Sequence, residues 1–206
     1  MMKNLKEIFS KKVFKVFKWI FLILIGLFFI LIVFRTFHYM DVQKTESQVV
    51  KIHSTKLSMD DVMGKSLPAN PGIEADKTIQ GVDANNNGIR DDVELAIFKE
   101  YPDSAKTRAV LLQYALALQM ETTQPFVNEE IATATAEKES QSYDCIGEIV
   151  SRNDNDLEII DNYRNFVKNI QLNTTERNKI KTDFDDKTRS FELKSGCDLD
   201  LSKLSN

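Results

Sequence analysis

Asp83-Ala84-Asn85-Asn86-Asn87-Gly88-Ile89-Arg90-Asp91-Asp92-Val93-Glu94 sets oxygen-bearing side chains at loop positions one, three, five, nine and twelve, with glycine at six. A hard divalent cation takes about six to eight oxygens at ~2.4 Å, so a short loop holding one must turn sharply and aim alternate side chains inward. Asp83, Asn85 and Asn87 have that alternation, and Gly88 has the backbone freedom the turn needs. The carbonyl of Ile89 offers a main-chain oxygen, Asp91 binds directly or through water, and Glu94 closes the set with two oxygens. Calcium is the expected ion. An asparagine-rich turn with aspartate caps would account for Asn87-Gly88 and Asp92, but it does not require Asp83, Asn85, Asp91 and Glu94 in register. With carboxylates only at Asp83, Asp91 and Glu94, the expected affinity is modest, roughly the 10⁻⁴ to 10⁻³ M class of extracellular modules.

The stretch resembles EF-hand-type loops, and more closely the shorter bacterial and thrombospondin-like calcium loops written Asp-x-Asp-x-Asp-Gly-x-x-Asp-x-x-Glu. The match covers about 12 of the 206 residues. The apolar Ile89 stands at position seven, with Arg90 at eight, and the residues before Asp83 are too few and too interrupted by proline for an entering helix. Both departures argue against a paired two-hand sensor domain. The wider segment, Gly81-Val82-Asp83 through Asn87-Gly88-Ile89-Arg90-Asp91-Asp92-Val93-Glu94, is similar to one in uncharacterised envelope proteins of Gram-negative bacteria. That likeness implies a location and no activity.

Upstream, residues 19–34 form an unbroken uncharged run rich in Ile, Leu and Phe. At ~1.5 Å per residue, such a helix covers ~24 Å of a ~30 Å hydrocarbon layer. Val13, Phe14, Val16 and Phe17 extend it, while Lys15 and Lys18 reach their ammonium groups to the headgroups. Trp19, Phe37 and Tyr39 suit the interfaces. A cleaved signal peptide needs small residues after the run, and Phe34-Arg35-Thr36-Phe37-His38-Tyr39 has none at the required spacing, so a retained anchor is expected. Six lysines precede the run and a single Arg follows it, which keeps the amino terminus in the cytoplasm. The reading is a basic tail over residues 1–18, a signal anchor over 19–36, a stalk and linker over 37–72, and a periplasmic domain over 73–206, all on an inner membrane. Leu67-Pro68-Ala69-Asn70-Pro71-Gly72 marks the linker.

Of 27 Lys and Arg and 31 Asp and Glu, residues 1–35 hold seven of the former and one of the latter, leaving 20 and 30 for the remainder. An exported part this acidic repels phosphates, so no nucleic-acid partner is expected. Seven glycines and four prolines are too few for a loop-rich chain. A mainly α fold is expected, a single transmembrane helix followed by a small helical domain entered through the calcium loop. Helical patterns fall at about 91–101, 105–121 and 127–150. A fourth follows a capping region at 153–156 and carries Ile159, Ile160, Tyr163, Phe166, Val167 and Ile170. A fifth follows Asn173-Thr174-Thr175-Glu176, which reads as a capping box, carries Ile180, Phe184 and Phe191, and ends at Gly196. Cys145 and Cys197 are the only cysteines, an even count in an oxidising compartment, and are expected to form one disulfide that ties the last helix to the third.

His38 and His53 are the only histidines and both flank the anchor, so no histidine triad or zinc site is expected in the folded part. No phosphate loop, nucleophile elbow or metalloprotease helix is present, and no catalytic residue is assigned. The expected role is a membrane-anchored, calcium-stabilised binding or scaffolding protein with an envelope protein as partner. Two alternatives stand beside it: an acidic inhibitor or immunity-type protein, and a carboxylate-dependent hydrolase of envelope glycan, which would need two facing carboxylates in a cleft.

Overall fold

The computed structural model describes residues 2–150 and 155–206, with side chains from Val13 onward. Among them are α1 (Met2–Ser54), α2 (Met59–Val62), α3 (Asp91–Glu100), α4 (Ala105–Thr123), α5 (Glu129–Gly147), α6 (Asp156–Gln171) and α7 (Thr175–Asp185), with 3-10 turns at Gly72–Asp76 and Leu201–Lys203. No strand occurs among the described residues, as the helical periodicity predicts. The chain divides into two compact units, Met1–Ser47 and Gln48–Asn206.

The first unit is α1 up to Ser47. Its apolar side chains face outward on every side, with Trp19 66% and Phe34 75% exposed. A soluble helix would bury such residues, whereas this one is long and apolar enough to cross a membrane. Thr36 turns its hydroxyl back onto the Ile32 carbonyl at 2.9 Å, so the polar group at the end of the run brings its own acceptor. Lys3, Lys6, Lys11 and Lys12 lie outside the described side chains.

The second unit is built around α4, which packs against α3, α5, α6 and α7. Nearly every α4 residue is buried, including Leu111, Leu112, Tyr114 and Leu118, and this explains why the helix shows no single apolar stripe. Its buried polar side chains hold loops by hydrogen bonds. Arg108 donates to the carbonyls of Val62 at 3.1 Å and Tyr101 at 2.9 Å, and stacks over the Phe98 ring. Gln113 accepts from the Asp198 amide at 2.8 Å. Ser104, Asn128 and Thr174 cap α4, α5 and α7, each side chain accepting a backbone N–H three residues on. For α7 that N–H belongs to Arg177, so Thr174 caps without Glu176 as the reciprocal partner of a box. The expected cap of α6 falls partly on residues 153 and 154, outside the described residues.

Two segments differ from the sequence reading. Residues 37–72 read as stalk and linker, yet the compact unit begins at Gln48, and Ile52, Leu57 and Val62 are core residues at 2%, 4% and 0% exposure. Their spacing of five is neither helical nor alternating, so it carries no amphipathic signature. The Leu57 amide donates to the Asp198 carboxylate at 3.0 Å, and a Ser58–Asp61 capping box starts α2.

The second difference is α7, which stops at Asp185 and not at Gly196. Adjacent Asp185 and Asp186 load its carboxyl end with the charge the helix dipole disfavours there. The chain then runs along α5: the Arg189 amide donates to Thr133 at 3.1 Å, Lys194 pairs with Glu137 at 2.7 Å, and the Gly196 amide donates to Asp144 at 3.0 Å. Cys197 thereby meets Cys145, and the disulfide ties this tail, not a last helix, to α5.

Candidate functional site

Residues 83–94 wrap around Asp83. Its carboxylate accepts the Asn87 amide at 3.1 Å and the Gly88 amide at 2.9 Å. Asn85 Oδ1 accepts the Asn87 amide at 3.3 Å, and Asn87 Oδ1 accepts the Ile89 amide at 2.9 Å, the side-chain-to-backbone turns that short polar residues favour. Gly88 sits at φ +86°, and a Cβ there would meet Leu116 Cδ1 at 2.8 Å, so both backbone and space call for glycine. The Asp91 amide closes the loop onto the Val82 carbonyl at 2.9 Å, and its carboxylate accepts the Ala84 amide at 3.0 Å. Ile89 and Val93 plug the loop into the core at 0% exposure.

Glu94 lies in the first turn of α3, 1% exposed, and accepts from Asn85 Nδ2 at 3.0 Å. Burial pushes its carboxyl up to about 7, against the two asparagine amides, which favour the charged form, while Asp61 and Asp91 raise it further. Asp91, also 1% exposed, is raised by burial first, and by Asp83 and Asp92, against the Ala84 amide. Arg90, the neighbour in sequence, turns its guanidinium to Asp92 and Asp76 instead. Among the described residues, no ion pair reaches Asp83, Asp91 or Glu94.

The donor set suits a hard cation in its chemistry: carboxylates from Asp83, Asp91 and Glu94, amide oxygens from Asn85 and Asn87, and the Ile89 carbonyl. Each Asp83 oxygen has given one lone pair to a backbone N–H and keeps another. Buried carboxylates without a cationic side chain need a proton or a metal ion for neutrality. Among the described residues, no three His, Cys, Asp or Glu side chains come together as a group that could hold an ion, so Asp83, Asp91 and Glu94 do not converge as one carboxylate set, and the asparagines and the main chain would have to complete any shell. Asn85 currently aims Nδ2 at Glu94, and Asn87 Nδ2 is buried without a hydrogen bond of ordinary geometry. Turning an amide over presents its oxygen there, at the cost of the backbone bond that oxygen now makes.

Several residues around the loop carry no sequence signal. Ser66 accepts Asn85 Nδ2 on its carbonyl at 3.1 Å, and Gln119 Nε2, from α4, holds the Gln80 carbonyl at 2.7 Å. Asp76, Gln171, Asn173 and Arg177 anchor the approach to the loop. Gln119, Gln171, Asn173 and Arg177 lie on distant segments, and what marks the anchorage in the fold is the burial of Arg90 and Arg177, both at 0% exposure. Beside the loop, a groove of about 280 Å³ runs between Asp83, Gly88, Leu116 and Gln119, with Lys51 and Asp83 as its charged side chains and Ile52, Leu116 and Met120 on its apolar wall. No protein-family model matches the chain, and neither does a curated protein or a solved structure.

Proposed function

We propose that this chain is a single-pass anchor of the inner membrane that holds a calcium-stabilised helical domain in the periplasm, where it binds or scaffolds another component of the envelope. The observation that carries the ion is the pair Asp91 and Glu94, each 1% exposed in a loop wrapped on Asp83, with Arg90 turned aside. Calcium there offsets the charge of carboxylates whose ionisation burial disfavours. The outward apolar run of α1 supports the anchor, and the lysines ahead of it support an amino terminus in the cytoplasm. The disulfide suits an oxidising compartment.

Isothermal calorimetry on the purified full chain, stripped with chelator in detergent micelles, tests the ion. Saturable heat with calcium chloride, in roughly the 10⁻⁴ to 10⁻³ M class, and none for Glu94→Gln are expected. A wild-type trace without heat overturns the ion reading. Protease digestion of spheroplasts tests the orientation: residues beyond 40 should be cleaved from outside, and protection there overturns it.

A further inference from the structure

Arg177 donates through all five of its guanidinium N–H groups, and none of these bonds goes to a loop ligand. Buried at 0% exposure near the start of α7, it spends four donors on the segment leading into the loop and one on Asn173 beside it. Nε donates to the Ile79 carbonyl at 2.9 Å, and Nη2 to the carbonyls of Ala75 at 2.6 Å and Thr78 at 2.9 Å. Nη1 donates to the Asp76 carboxylate at 2.6 Å and to Asn173 Oδ1 at 2.5 Å. A planar guanidinium with five N–H groups can hold these acceptors at once; an ammonium with three donors at one point cannot.

The grip continues without a gap into the ligands. After Ile79 comes Gln80, whose carbonyl is held by Gln119 at 2.7 Å and whose side chain donates to the Thr122 carbonyl at 3.2 Å. Gly81 follows at φ +72°, seated so closely on Arg90 that a Cβ would meet Arg90 Cδ at 2.8 Å. Val82 accepts the Asp91 amide, and the next residue is Asp83. The outgoing leg ends at the same place, because Arg90 Nη1 donates to the Gln171 carbonyl at 3.0 Å at the end of α6. Asp76 joins the two legs, bonded to Arg177 and Asn173 and lying 3.7 Å from Arg90. Both ends of the loop are therefore fixed to the corner between α6 and α7, more than 75 residues away in sequence.

We infer that Arg177 sets how tightly the loop holds its ion, acting as a positioning residue through the leg from which Asp83 hangs. This rests on the proposal that the loop binds calcium. A shell of weak neutral oxygens and few carboxylates has little affinity to spare for ordering its own backbone, so the ordering must be done in advance by groups outside the shell. Arg177 and Asp76 do that here, and their removal leaves every ligand present but unfixed.

The test compares Arg177→Lys, Asp76→Asn and Arg108→Lys in the full-length protein. Arg108 is the control, an arginine 8% exposed that also donates to backbone carbonyls, but at the α2–α4 contact. Calorimetric titration with calcium chloride should show Arg177→Lys weakened about 10-fold. Asp76→Asn should weaken in the same direction, and Arg108→Lys should stay within about twofold although it too lowers Tm. In chelator, amide hydrogen exchange at Asn87 and Gly88 should quicken for Arg177→Lys alone of the two arginine variants. Should Arg177→Lys fail to fold, Asp76→Asn decides, since that carboxylate is half-exposed. Unchanged affinity and exchange in the folded Arg177 or Asp76 variant overturns the inference and leaves the ion site standing. An equal loss in Arg108→Lys also overturns it. A wild type that takes up no calcium overturns both.

Discussion

Asn85 and Glu94 meet inside the loop, Nδ2 of the first donating to Oε2 of the second at 3.0 Å, with Glu94 1% exposed. Burial raises this carboxyl to about 7, so above that pH the ion-free protein carries an uncompensated buried charge. Glu94→Gln should then have opposite effects in two conditions. At pH 8 in chelator it should raise Tm by roughly 2–6 °C, because a neutral isostere removes the charge. In millimolar calcium it should melt below the wild type, because the closing ligand is gone. A Tm shift of the same sign in both conditions would reject the site.

The helices around the loop were legible in the sequence because their apolar periods are local. Ser104, Asn128 and Thr174 each cap a helix within three residues of themselves, a signal of the same local kind. What sets the loop in place was not legible. Arg177 reaches Ala75 and Arg90 reaches Gln171 across long sequence distances, and no periodicity reports a contact of that kind. Ile52, Leu57 and Val62 read as stalk for a related reason, since they recur at no helical or alternating period and are buried by partners from elsewhere. Phe191 continues the stripe of α7 in sequence and so predicts a longer helix, while the tail pairing along α5 prevails in the fold.

That tail is the weak edge of the second unit. Residues 189–197 are held to α5 by isolated polar contacts and by the Cys145–Cys197 bridge, which closes a separation of 52 residues. In the chain-entropy account, a closure of that length contributes about 4 kcal/mol. Cys197→Ser should lower unfolding free energy by roughly 2–5 kcal/mol in urea titrations, and trypsin should then cut first at Arg189 or Lys194. A variant as stable and as resistant as the wild type would show that the polar contacts suffice.

Gly88 binds the loop to the core from the other side. Gly88→Ala places a Cβ against Leu116 and forces an alanine to φ +86°. The conformation costs about 1–2 kcal/mol and the clash adds to it. Leu116→Ala in the same chain makes room but leaves the backbone term, so the double variant should lose less than the two single losses combined. Strict additivity in denaturant titrations would mean that the two residues do not meet.

Glu121 separates a second source of pH dependence from the loop. It is 4% exposed on α4 and pairs with Lys181 at 3.0 Å, but Lys181 also meets Glu139 at 2.7 Å and Asp185 at 2.8 Å. One cation faces three carboxylates, with Tyr114 and Arg164 alongside, and Lys181 stays charged because its neighbours raise its pKa. Glu121 is the most buried of the three, with Oε2 unpartnered, so burial drives it up to about 8 despite Lys181. A carboxyl with a raised folded-state pKa stabilises fully below its unfolded value of 4.5, and that contribution is lost as pH climbs through about 8. In chelator the protein should therefore melt higher at pH 5.5 than at pH 8.5. Glu121→Gln should narrow the gap, mostly by raising Tm at pH 8.5, and Glu94→Gln should narrow it separately because the two sites share no contact. An undiminished gap in Glu121→Gln would show that Lys181 keeps Glu121 ionised across the range.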